Sequence, residues 1–139
     1  GIELMANSDN VLRGGLTPKH IDVAELLSVL VFEPGDRAII QPTSKGDCLS
    51  GYNTPTAEFR LGRIQCSRGR RFHSRQERSV EILLCVAGEG SVDWIGPSSG
   101  SLKLKRGDSF LVPAGVPAYE VSGSLDLFRA DVPPLQEVG

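Results

Sequence analysis

The sequence has no strong charge of one sign, no long apolar run and no paired-cysteine motif, and each absence removes a class of protein. Its 15 Lys+Arg against 17 Asp+Glu leave a formal net charge of −2, whereas a general nucleic-acid binder needs a basic balance to gain from counterion release. No apolar stretch approaches the roughly 20 residues that cross a bilayer, and the N-terminus has no basic segment followed by an apolar run that would mark secretion. Neither a nucleic-acid nor a membrane partner is expected. Cys48, Cys66 and Cys85 are odd in number, widely spaced and free of any CxxC pairing, so they read as free thiols in a reducing cytoplasm. At 139 residues and 40% hydrophobic, the chain has the size and apolar content of one globular domain.

What is present is punctuation. Sixteen Gly and nine Pro cut the sequence into pieces too short and too β-branched for helices, which predicts an all-β fold. One helix is predicted over residues 22–30. Asp22 can cap its first turn, Glu25 follows three residues later, Val23, Leu26, Leu27 and Leu30 make an apolar stripe, and Pro34-Gly35 ends it. Strands are predicted at 37–41, 58–66, 80–87, 91–95, 101–105, 109–113, 118–122 and 125–130. Turn residues such as Gly88-Glu89-Gly90, Arg106-Gly107-Asp108 and Gly123 separate most of them. Many short strands without an internal repeat favour a sandwich or jelly roll.

The order of those turns is informative. Ile82-Leu83-Leu84-Cys85-Val86 is apolar on both faces, as expected of a central strand, and it runs into the GEG turn. A second strand, the Gly107-Asp108 turn, a third strand and the loop Pro113-Ala114-Gly115-Val116-Pro117 follow. This succession resembles the second half of a cupin, a double-stranded β-helix or jelly roll. The resemblance places an N-terminal arm with a short helix at 1–34 and a metal-free cupin-like barrel at 35–139. A cupin usually holds its metal with an HxH pair, a Glu, and a His after the PxGxP loop. Here the matching stretches read Phe72-His73-Ser74-Arg75 and Ala118. Too few of the usual three protein ligands remain, so no metal ligand is assigned. His73 reads as a partly exposed polar residue and Glu81 as structural.

Between residues 60 and 78 stand Arg60, Arg63, Arg68, Arg70, Arg71, Arg75 and Arg78, offset only by Glu77. Such a run could attract a phosphorylated ligand or an acidic surface, but runs of this kind more often pair with carboxylates elsewhere.

The densest chemistry lies near the start, in Asn7-Ser8-Asp9-Asn10-Val11-Leu12-Arg13-Gly14-Gly15-Leu16-Thr17-Pro18-Lys19. Polar and charged groups crowd a segment poor in strand and helix formers, and such density in a loop is a better functional hint than any core residue here. Gly14-Gly15 permits backbone torsions that other residues avoid. Arg13 and Lys19 could converge on one anion, with Asp9 near enough to orient Arg13. A plain polar linker is the competing reading.

The stretch ANSDNVLRGGLTPK is similar to the signature of type I mannose-6-phosphate isomerases, written around SDNVxRxGxTPK. That resemblance implies a zinc enzyme that interconverts mannose 6-phosphate and fructose 6-phosphate. It assigns Arg13 as the catalytic arginine, and Asp9 and Lys19 as residues that bind substrate or support the active site. The family's zinc ligands, a Gln, a Glu and two His, precede the signature. The chain is therefore expected to be the C-terminal part of the enzyme, inactive alone, with zinc held by the N-terminal catalytic half and a hexose 6-phosphate as substrate. The rival expectation is a non-catalytic cupin module that binds a phosphosugar or a partner protein.

Overall fold

A computed structural model describes residues 1–5, 7, 11–35, 39–96 and 98–133. The chain forms two compact units, one of Gly1–Leu4 with Ile40–Gly139 and the other of Met5–Ile39. The smaller unit holds one helix, α1 (Val23–Val29). The Glu25 amide donates to Asp22 Oδ1 at 2.9 Å, so the predicted cap satisfies a first-turn amide that has no partner within the helix. α1 stops at Leu30, whose backbone is extended, well before Pro34. Val29 and Val31 flank that point, and β-branched side chains lose rotamer freedom in a helix. Of the predicted apolar stripe, Leu26 alone is sheltered, while Val23, Leu27 and Leu30 are exposed.

The larger unit is all antiparallel β. Its strands are β1 (Thr43–Gly46), β2 (Leu49–Gly51), β3 (Arg60–Cys66), β4 (Phe72–His73), β5 (Glu81–Trp94), β6 (Gly100–Lys105), β7 (Ser109–Val112) and β8 (Tyr119–Asp131). They pair in the order β1-β2-β3-β8-β5-β6, with β4 beside β8 and β7 beside β5. β5 and β8 are the spine. They pair from Glu81↔Asp131 to Trp94↔Tyr119. The first part of β5 takes β7 on its other side and the last part takes β6; likewise β8 takes β4 and then β3.

The sequence predicts four strands where the spine has two. Gly88-Glu89-Gly90 and Gly123 bend the ladder without ending it. Gly88 and Gly123 have φ of 77° and 119°, and a Cβ on Gly123 would lie 2.5 Å from Gly90 Cα and 2.6 Å from Glu89 O. The register slips between Cys85 and Ala87, the signature of a bulge that sharpens the bend. Of the strand predicted at 37–41, residues 39–41 are irregular, and Arg37 and Ala38 lie outside the described residues. β1, β2 and β4 are too short and polar to show an alternating pattern.

Side chains of alternating parity fill the interior: Ile64 and Cys66 from β3, Leu83, Cys85 and Val92 from β5, and Tyr119, Val121, Leu125 and Leu127 from β8, joined by Phe72, Leu104 and Val112. All three cysteines are free and buried. Burial and the neighbouring Cys48 push the Cys66 thiol up to about 11, so it stays protonated and donates to Val121 O at 3.5 Å.

Alternation also carries charge inward at one end of the spine. Glu81 continues the inward face of Leu83 and Cys85, and Asp131 continues that of Leu125 and Leu127; the two carboxylates are cross-strand partners and both are buried. Guanidinium groups offset this like-charge pair. Arg129 Nη1 lies 3.4 Å from Glu81 Oε1 and its Nη2 lies 3.7 Å from Asp131 Oδ2. Arg60 forks onto Asp131 through Nε at 3.1 Å and through Nη2. Arg78 Nε lies 3.6 Å from Glu81 Oε2, and the Tyr119 hydroxyl donates to that oxygen at 2.8 Å.

Two outcomes test this architecture. Gly123→Ala combines positive φ with a backbone clash and should cost at least about 1–3 kcal/mol in thermal unfolding. Gly107→Ala meets a φ of 96° but open space and should cost less. Glu81→Leu leaves buried guanidinium charge uncompensated and should cost about 3–5 kcal/mol in urea unfolding.

Candidate functional site

Glu81, which the cupin resemblance puts near a ligand position, belongs to this charge cluster. Glu81, 2% exposed, already accepts from Tyr119 and faces two guanidinium groups. Burial and the Glu81 charge hold the Tyr119 phenol far above its ordinary value, so it remains a hydrogen-bond donor. Arg78 is tied further: Nη1 donates to Pro113 O at 3.2 Å and Nη2 to Pro117 O at 3.0 Å and to Val116 O. It thereby braces the PAGVP loop against the start of β5 and also stacks over the Tyr119 ring, 5.3 Å from its centroid. Three cations around two carboxylates repel a further cation. His73 is elsewhere, 70% exposed and 3.3 Å from Glu120 Oε2, and Ala118 offers no donor. These residues do not fit a zinc ion. Among the described residues no group of three or more His, Cys, Asp or Glu side chains is placed to hold a metal.

Most of the basic run is structural. Arg60 pairs with Asp131, Arg63 with Asp126 and Arg71 with Glu120, while Arg78 braces the loop. Hydrogen bonds donated to Asp131 and Asp126 raise the Arg60 and Arg63 guanidinium groups above their already high values. Arg68, Arg70 and Arg75 have no carboxylate within 4.0 Å among the described residues.

The signature segment lies in the Met5–Ile39 unit. Arg13 is half-buried and Lys19 exposed, and neither side chain forms an ion pair among the described residues. The Lys19 amide donates to Thr17 Oγ1 at 3.2 Å, a local turn that sets the path from Gly15 toward α1. Gly14 lies against α1: a Cβ on it would be 2.6 Å from Leu26 Cδ2, whereas one on Gly15 would meet nothing within 4 Å. Asp9, which the signature places beside Arg13, lies outside the described residues.

The buried cluster of Arg78, Glu81, Tyr119, Arg129 and Asp131 was not legible as a unit in the sequence. Its signal was parity: Glu81, Arg129 and Asp131 occupy inward positions of their strands, which becomes apparent once β5 and β8 are each read as one strand.

The family described as "Mannose-6-phosphate isomerase, cupin domain" matches residues 65–132. The mannose-6-phosphate isomerase of Cryptococcus neoformans is 39% identical over 137 residues, covering 94% of this chain and 31% of that protein. The Escherichia coli enzyme of that name is 39% identical over 130 residues, covering 92% of this chain and 32% of its own length. A Salmonella typhimurium mannose 6-phosphate isomerase structure, described as bound to its substrate and a zinc atom, superposes with a TM-score of 0.77 at 32% identity and covers 94% of this chain and 32% of that one. The chain thus spans about a third of the length of the relatives that it matches. Residues 65–132 thus match the cupin domain of mannose-6-phosphate isomerases, and over 92–94% of its length the chain is similar to about a third of an enzyme of that name.

Proposed function

We propose that this chain contributes the cupin domain and the Arg13 segment to an enzyme that interconverts mannose 6-phosphate and fructose 6-phosphate. The observation that carries the reading is similarity spanning 92–94% of the chain to isomerases of that name. The buried charge cluster agrees with it, because Glu81 and Asp131 are already committed to arginines and Tyr119. The work divides between a catalytic arm at 1–34 and a supporting barrel at 35–139.

Aldose–ketose isomerisation moves a proton between C1 and C2 through an enediol, whose negative oxygen needs an electrophile. Arg13 fills that role: its guanidinium stays charged at any working pH and can bridge two oxygens in one plane. Asp9 orients Arg13, and Lys19 positions the anionic substrate. Zinc, which the Salmonella relative binds, would be held by residues outside this chain, in the remaining two thirds of the enzyme. A cytoplasmic setting is supported by three free, buried thiols.

In the full-length enzyme, Arg13→Ala should lower turnover by roughly 100- to 1000-fold, the usual loss for one preorganised transition-state donor, while leaving the unfolding temperature nearly unchanged. A coupled isomerase assay measures it, and an unchanged turnover number would make the signature structural. The chain by itself should show no isomerase activity and retain no stoichiometric zinc after dialysis; metal analysis that found one zinc per chain would overturn this division of labour.

A further inference from the structure

We infer that Leu26 of α1 is a positioning residue for Arg13, acting through Gly14; the inference rests on the catalytic reading of Arg13. A helix of seven residues is too short to be stable for its own sake, and all but one of its side chains are exposed. The exception is Leu26. Its Cδ2 occupies the space that a Cβ on residue 14 would need, 2.6 Å from that point. The backbone next to Arg13 is therefore laid directly on a methyl group of α1. Consecutive Cα atoms are about 3.8 Å apart, so any displacement of Gly14 is passed to Arg13.

The rest of the segment is built to keep that contact. Asp22 caps the helix through the Glu25 amide at 2.9 Å, and the Leu30 amide closes its last turn onto Leu26 O at 3.2 Å, which fixes the residue that meets the loop. The Thr17–Lys19 turn returns the chain from the Arg13 loop to the helix. Of the two adjacent glycines, Gly14 is the one that needs to lack a side chain, while Gly15 faces open space. The pair is thus asymmetric: Gly14 makes the contact and Gly15 leaves the other side clear. In this arrangement α1 is a backstop that sets the height of the guanidinium.

The test is a cycle of variants in the full-length isomerase, with turnover number and KM measured separately. Leu26→Ala removes the backstop and Gly14→Ala displaces it; a misplacement on the order of 1 Å can cost up to about 100-fold in rate, and each variant should lower kcat by roughly 10-fold with KM changed less than about twofold. The double variant Gly14→Ala/Leu26→Ala, in which the new methyl fills the space the leucine vacates, should recover most of the loss. Leu26→Met should stay close to the parent, and Leu27→Ala, exposed on the same helix, should change kcat by less than about twofold. Losses that multiply in the double variant, an unchanged kcat in Leu26→Ala, or an equal loss in Leu27→Ala would each overturn the inference. Arg13→Ala is run alongside. If it leaves turnover intact, the catalytic reading falls and the role of Leu26 with it; if it abolishes turnover while Leu26→Ala does not change it, the positioning role alone falls.

Discussion

Two carboxylates face each other across the middle pair of strands, and much of that end of the barrel follows from neutralising them. Glu81 and Asp131 are cross-strand partners in the core, an arrangement that repels unless cations stand between. Arg60, Arg78 and Arg129 supply them. Each arginine also has a second role. Arg60 sits opposite Asp131 at the start of β3, Arg129 lies over the Phe72 ring, and Arg78 carries the PAGVP loop. Together the five charged groups form a knot of side chains that largely neutralises itself. A bound cation is not merely lacking donors there; it would meet a surplus of positive charge.

Fold class was legible from composition and turn spacing, and the helix from its cap. What misled was the weight given to glycine. Gly88, Gly90 and Gly123 look like turns because turns use such residues, yet here they let two long strands approach and bend together. Only cross-strand neighbours distinguish the two uses, and those are not adjacent in sequence. The polar β1 and the two-residue β4 gave no alternation to read. That the arginine run pairs with carboxylates could be expected, but not with which ones, because Asp126, Asp131 and Glu120 lie some fifty to seventy positions away.

The candidate site shows the opposite balance. Its signature is local, so Arg13 and Lys19 could be named from the sequence, but the reason for one of its two glycines could not. That reason is a methyl group twelve positions later, on a helix whose periodicity suggested that it buried a whole stripe. In the structure one leucine of that stripe is sheltered, and it is the one that touches the loop. The helix is placed by what it supports rather than by a core of its own.

The geometry of the spine also orders the events of folding. Trp94 and Tyr119 pair across 25 positions of chain, while Glu81 and Asp131 pair across 50. Doubling a loop adds about 0.6 kcal/mol of closure entropy, so the Trp94–Tyr119 end is the easier to close and the ladder can then zip outward past the glycine bend. The carboxylate pair stands at the far end of that register, where Arg60 on β3 and Arg129 on β8 supply its counter-ions.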